Sequence, residues 1–296
     1  MDIIFNGLSL SSIILLASLG LAITFGLMRV INMAHGEFIM IGAYTTYVVQ
    51  NLFLSYLPGL SDLGYFVSII VAFGFTFLVG SILERFVVSR LYGREIDSLL
   101  ATWGISLILQ QAARSIFGTQ GVLVTTPKVL SGGISIGGSS LSMTRIFIIL
   151  LEAACLLLVW FIMYKTKIGS QMRAVMQNRS MAQCMGINSR RVDNLTFSLG
   201  SGLAGIAGCS IALLGSIDST VGQNYIVNTF MAVVLGGVGK LLGTVIGAGI
   251  IGFSSIGFET ITSSSIAKAI VLFIIIIFLQ KKPQGLFVVR SRALDE

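Results

Sequence analysis

The sequence predicts an all-α polytopic membrane protein with about eight or nine transmembrane or re-entrant helices, two of them discontinuous. Three observations carry this. Hydrophobic residues make up 55% of the 296 residues and charged residues only 10%, whereas a soluble domain carries about 25% charge. The mean hydropathy is +0.94. The apolar residues fall into long runs, most near the ~20 residues a helix needs to cross ~30 Å of hydrocarbon. So little charge cannot cover a soluble surface, which excludes a water-soluble enzyme and a disordered chain alike. Residues 1–296 read as a single membrane domain.

The runs cover 7–28, 36–57, 65–83, 98–117, 144–164, 194–216, 228–239, 241–260 and 264–280. Backbone groups in lipid must pair within their own segment, so these runs are helices. No basic region or small-residue cleavage site accompanies the first run, which predicts a retained helix rather than a signal peptide. The first two runs are separated by the polar string Asn32, His35, Gly36 and Glu37. The fourth carries Thr102, Trp103, Gln110 and Gln111, and the fifth carries the isolated acid Glu152. Glu152 either pairs with a cation on another helix or faces a partner subunit. The run 228–239 is short and is broken by Gly236, Gly237 and Gly239, which suggests half of a discontinuous helix or a re-entrant segment. Glu259 sits at the edge of the eighth run. Small residues four apart, at Gly200, Ala204 and Gly208 and at Gly243 and Gly247, predict close helix packing within the subunit.

Charge predicts orientation. Segment 165–193 holds Lys165, Lys167, Arg173, Arg179, Arg190 and Arg191 against Asp193 alone, while 118–143 holds only Lys128. The first is expected in the cytoplasm and the second outside. Segment 84–97, with Arg85, Arg90 and Arg94, and the tail, with Lys281, Lys282, Arg290 and Arg292, follow as cytoplasmic. Parity then puts the N-terminus outside. The net charge of +7 expresses this bias and implies no nucleic-acid partner. The string SGGISIGGSSLS at 131–142 favours turns or a small hairpin. Within 165–193, the apolar residues Met172, Val175 and Met176, then Met181, Cys184 and Met185, recur at helical spacing. They predict short amphipathic helices joined near Asn178.

Two motif matches fail on context. Gly247–Gly252 reads GAGIIG, but it lies inside an apolar helix with no preceding strand and no ribose-binding acid. The stretch LGGVGKLLG resembles a P-loop, but Val234 replaces its first glycine and Leu241 its Ser or Thr. The single histidine, His35, rules out an H-E-x-x-H zinc site. Cys155, Cys184 and Cys209 form no C-x-x-C, so neither a disulfide nor a metal site is expected. The chain is expected not to be an enzyme and to hold no cofactor of its own.

The polar break at 29–38 and the glycine-rich break at 236–240 are followed by related strings, IMIGA and TVIGA. Paired broken helices in two halves of a chain point to a transport path. Ordinary interhelical turns near the membrane surface are the alternative. Similarly, His35 and Glu37 either exchange a proton or order the break by hydrogen bonding.

The strings INMAHGEFIMIGAY, KTKIGSQMRAVMQNRSMAQCMGI, VVLGGVGKLLGTVIGA and KPQGLF resemble, in this order, branched-chain amino-acid-type ABC importer permeases. LLATWGISLILQQAARSIFG and Lys240 resemble the urea-type members, while Arg29 stands where those members have a small residue. The resemblance implies an inner-membrane, multi-pass permease. It would pair with a second, homologous permease as a heterodimer and draw on two ATP-binding subunits, which use the ATP. An external solute-binding protein would deliver the substrate, and lipid would surround the assembly. It implies urea as the solute, with branched-chain amino acids or short amides as the alternative; a passive urea channel is the reading from a different class. Asn32, His35, Gly36, Glu37, Thr102, Gln110, Gln111, Gly236, Gly237 and Gly239 are the expected path residues. Gly169, Arg173, Ala174, Asn178 and Gly186 are the expected ATPase-coupling residues.

Overall fold

A computed structural model describes residues 2–28, 31–136 and 139–287. Among these, eleven α-helices and one small hairpin form. The helices are α1 (Asp2–Met28), α2 (His35–Tyr56), α3 (Ser61–Phe86), α4 (Glu95–Phe117), α5 (Met143–Lys165), α6 (Lys167–Gln177), α7 (Arg179–Cys184), α8 (Ser189–Ala212), α9 (Val221–Gly236), α10 (Leu241–Glu259) and α11 (Ser264–Lys281). The hairpin pairs β1 (Gly133–Ile136) with β2 (Ser139–Ser142), antiparallel, inside the Gly/Ser-rich string. Seven helices are long and apolar enough to cross a membrane. Of the two other long segments, α4 is diluted by polar residues and α9 has only 16 residues. The architecture is the expected polytopic all-α bundle. Arg29 and the tail cations Arg290 and Arg292 lie outside the described residues.

α1 and α8 form the centre. Their apolar windows are 78% and 83% buried, against 22% for α5 and 17% for α11. Glycine makes this possible. A Cβ on Gly20 would overlap the Gly200 carbonyl, and one on Gly42 would overlap the Gly205 backbone. The Gly200/Ala204/Gly208 stripe is fully buried and packs inside the subunit. The periphery is apolar instead: Leu150, Leu157 and Phe161 on α5 are exposed, as suits lipid.

Ile23 near the end of α1 and Met172 of α6 line one small cavity. The C-terminal end of α1 therefore lies at the end of the molecule that carries the basic segment 165–193. Its N-terminal end lies opposite, as the charge asymmetry predicts. α10 runs antiparallel to α1, with Gly252 beside Ser11 and Gly239 beside Gly26. α9 runs parallel to α1, with Thr229 beside Ser18 and Val233 packed on Leu21 and Ala22.

α2 does not start at the basic end. His35, its first residue, sets Nε2 3.0 Å from the carbonyl of Ala17, a point about 16 Å back along α1 from Met28. α2 thus begins at half depth and runs away from the basic end beside α8, with Thr46 bonded to the Cys209 thiol at 3.0 Å.

The second break differs from expectation. Gly236–Lys240 is a tight turn between α9 and α10 near the basic end, beside Gly26. Gly237, at φ +99°, caps α9 in a conformation that favours glycine. The half-depth start in this half of the chain is Val221, whose neighbour Gly222 touches Gly36. The glycines of 236–239 mark a helix end; the true interruption at 213–220 has the composition of an external loop.

Candidate functional site

The first break is built by local hydrogen bonding. Asn32 Oδ1 accepts from Ala34 N at 3.0 Å, and its carbonyl accepts from His35 N at 3.3 Å, which turns the chain into α2. The Ala17 carbonyl can only accept, so Nε2 of His35 carries the proton and Nδ1 of the neutral ring is an acceptor. Glu37 Oε1 accepts from Ser106 Oγ and Gln110 Nε2 of α4, both at 2.8 Å. Met33 N donates to Thr102 Oγ1 at 3.2 Å. Asn32, His35, Glu37, Thr102, Ser106 and Gln110 are all buried. Asn32 Nδ2, His35 Nδ1 and Glu37 Oε2 have no partner among the described residues. Buried polar groups usually pair, so among the described residues one donor and two acceptors stand unspent at half depth.

α4 supplies one wall. Ser98, Thr102, Ser106 and Gln110 recur four apart and share its buried face. Gln111, one residue on, is exposed and lies off this face, contrary to expectation, because a helix turns about 100° per residue. Ser98 and Ser106 complete the stripe. The i, i+4 spacing from Thr102 and Gln110 was the signal that would have found them.

Gly236, Gly237 and Gly239 do not join this cluster. Gly236 packs on Gly243, Gly237 on the Phe287 backbone and Gly239 on Gly26. Gly26 lies about 14 Å along α1 from the Ala17 contact. Glu152 is buried and forms no ion pair, and its Oε1 has no partner, among the described residues. Glu259 accepts from Ser264 Oγ at 2.5 Å at the end of α10. A cavity of about 530 Å³ between α2, α3 and α4 is walled by apolar side chains such as Met40, Phe75 and Leu109, and offers little to a polar solute.

At the basic end, the two short helices α6 and α7 and the long α8 each start on a side-chain cap. Thr166 Oγ1 accepts from Gly169 N at 3.2 Å, Asn178 Oδ1 from Met181 N at 2.9 Å and Asn188 Oδ1 from Arg191 N at 3.2 Å. Gly169 lies against the carbonyls of Ile162 and Met163, so any side chain there would push α6 off α5. Gly186, at φ +80°, ends the turn after α7. The Ala174 carbonyl accepts from Asn178 N at 3.1 Å. Arg173 is half-buried and lies 5.3 Å over the Tyr164 ring. Of the expected apolar stripe, Met172 and Val175 face inward, whereas Met181 and Met185 are 63% and 76% exposed. Cys184 is exposed as well.

A polar network absent from the sequence reading ties this segment to the bundle. Arg179 pairs with the buried Asp193 and lies 5.1 Å over the Tyr92 ring. Tyr92 donates to Glu84 Oε1 at 2.7 Å, and Asn194 Nδ2 donates to Glu84 Oε2 at 2.7 Å. Burial and the bond to Glu84 push the Tyr92 hydroxyl well above its ordinary range, so it remains a donor. The network joins two segments far apart in sequence, 84–92 and 179–194, and no spacing announces it.

The family described as "Branched-chain amino acid transport system / permease component" matches residues 3–279. The chain belongs to this family. It is 31% identical over 268 residues to the high-affinity branched-chain amino acid transport system permease protein LivH of Escherichia coli K12, covering 83% of this chain and 82% of LivH. It is 28% identical over 257 residues to the corresponding protein BraD of Pseudomonas aeruginosa, covering 82% and 80% of the two chains. The probable branched-chain amino acid transport permease protein LivH of Methanocaldococcus jannaschii is 30% identical over 260 residues, covering 81% of this chain and 75% of that one. No solved structure matches significantly. The chain is thus a multi-pass permease component of the inner membrane, a transport subunit by family.

Proposed function

We propose that this permease forms half of the translocation path of an ATP-driven importer of a small polar organic solute, and that the solute is urea. The observation that carries the reading is the first break: Asn32 Nδ2, His35 Nδ1 and Glu37 Oε2 are buried and have no partner among the described residues. Urea offers N–H donors and one carbonyl acceptor, the complement of one donor and two acceptors. The urea-type strings ATWG…LQQ and Lys240 support the same choice. The second reading, branched-chain amino acids, is favoured by the named substrates of the relatives. There Glu37 would receive the α-ammonium group. The path is completed by a second, homologous permease. An external solute-binding protein delivers the substrate.

ATP-binding subunits dock on α6 and α7. Exposed Met181 and Met185 offer an adaptable apolar contact there. Rigid seating of α6 through Gly169 passes their movement to α5, and alternating access follows from two packings of the bundle. A passive channel would need neither docking surface nor ATP. Labelled urea and labelled leucine uptake should be compared in cells with the complete system and in cells lacking this subunit. Energy-dependent urea uptake that vanishes with the subunit supports the reading; loss of leucine uptake alone replaces it with the amino-acid reading.

A further inference from the structure

Residues 32–37, Asn-Met-Ala-His-Gly-Glu, have a counterpart at 218–223, Asp-Ser-Thr-Val-Gly-Gln. The two hexapeptides share a hydrogen-bond pattern. Ala34 N donates to Asn32 Oδ1 at 3.0 Å, and Thr220 N to Asp218 Oδ1 at 2.9 Å. His35 N and Val221 N each reach the carbonyl of the first residue at 3.3 Å, and Glu37 N and Gln223 N each reach the carbonyl of the third at 3.0 Å. The second residue of each touches α4, Met33 through Thr102 and Ser219 through Arg114 Nε at 2.8 Å. The fifth residues, Gly36 and Gly222, pack on each other reciprocally. Reciprocal contact of equivalent residues is what a local two-fold axis produces.

The directions fit. α1 runs toward the basic end and is followed by α2, which starts at half depth and runs away from it. α8 runs away from the basic end and is followed by α9, which starts at half depth and runs toward it. This is an inverted repeat, and solute sites of transporters lie where such repeats meet at discontinuous helices.

The repeats differ in cover. The Glu37 side of the first break is closed by α4. Around the second, Gln223 and Asn224 are exposed and Asp218, Thr220 and Asn228 are half-buried. Exposed amides at half depth are unfavourable against lipid, so this face meets water or polar protein.

We propose that Asp218–Asn224 is the second half of the solute path, with Gln223 and Asn224 offering neutral amide groups to a small polar solute along the surface shared with the second permease. The inference rests on the reading that the first break borders the path. It is tested in the complete transporter, with Cys184→Ser removing the native exposed thiol. Gln223→Cys, Asn224→Cys, Met33→Cys and the lipid-side control Leu157→Cys are treated with a membrane-impermeant, permanently charged methanethiosulfonate. Uptake of urea, and of leucine in a parallel arm, is measured before and after labelling. Expected are labelling at 33, 223 and 224 but not at 157, slower labelling at 223 and 224 under turnover, and loss of uptake on modification. Labelling at 33 without labelling at 223 or 224 overturns the inference and leaves the first-break reading standing. No labelling at any of the three overturns both. Labelling at 223 and 224 with uptake intact also overturns the inference, since a path residue cannot carry a bulky charge unnoticed.

Discussion

Gly36, the second residue of α2, and Gly222, the second residue of α9, meet backbone to backbone at half depth. A Cβ on Gly36 would stand 2.7 Å from the Gly222 carbonyl oxygen, and one on Gly222 would overlap the Gly36 carbonyl. Neither obstacle is a flexible side chain, so neither can step aside. Gly222→Ala is expected to destabilise the permease by about 1–3 kcal/mol or more, the range of overpacked cores. Gly249→Ala, where a Cβ meets open space, should leave stability unchanged. Thermal unfolding of the purified permease in detergent compares the two. Equal melting temperatures would show that the helix starts do not need contact.

Glu37→Gln separates the two oxygens of Glu37. The bonds from Ser106 and Gln110 both go to Oε1, and an amide oxygen can still accept them. The unpartnered Oε2 is replaced by a donor. Assembly should be normal and uptake reduced. Ser106→Ala instead removes one bond to Oε1 and should cost about 1 kcal/mol of stability. Full uptake by Glu37→Gln, at equal expression, would remove the free acceptor from the path.

The bundle was legible from composition and run length because lipid imposes helical pairing on any long apolar segment. The first break was legible because Asn32, His35 and Glu37 are costly there. The second was not: Asp218, Ser219 and Thr220 resemble a solvent loop, while Gly236–Gly239 advertise a break that is a glycine cap. Gly222 against Gly36, a contact across 186 positions, and the shared hydrogen-bond pattern identify the counterpart. Ser98 and Ser106 were legible in principle by their i, i+4 spacing with Thr102 and Gln110. The set of Arg179, Asp193, Tyr92, Glu84 and Asn194 was not, because tertiary packing alone brings it together.

That set predicts an asymmetry. The Arg179 side chain is 40% exposed and the Asp193 side chain 3%. Arg179→Met strands a carboxylate where water cannot reach it and should cost up to about 3–5 kcal/mol, as breaking a buried pair does. Asp193→Asn leaves an arginine that can turn to solvent and should cost much less. The double variant Arg179→Met/Asp193→Asn should recover part of the loss. Melting temperatures of the three variants check this. Equal losses in the two single variants would mean that burial of the carboxylate does not set the energy.

Coupling can be separated from folding at Arg173. Its guanidinium lies 5.3 Å over Tyr164, and Nη1 has no partner among the described residues. The cation–π contact at such a half-exposed site is worth ~0.5–1 kcal/mol, so Arg173→Glu should leave the bundle folded. It places an acid on α6, next to the buried Met172 that seats the helix, on the surface proposed to meet the ATP-binding subunits. Charge reversal there should weaken docking of the ATP-binding subunits if the native cation contributes to that contact. Uptake should fall while expression, melting temperature and assembly with the second permease stay near those of the native chain. Arg173→Lys keeps the charge and should restore most of the uptake, which a purely steric role for the guanidinium would not allow. Native uptake by Arg173→Glu would move the coupling contact off α6, leaving the exposed Met181 and Met185 face of α7 and its following turn to carry it.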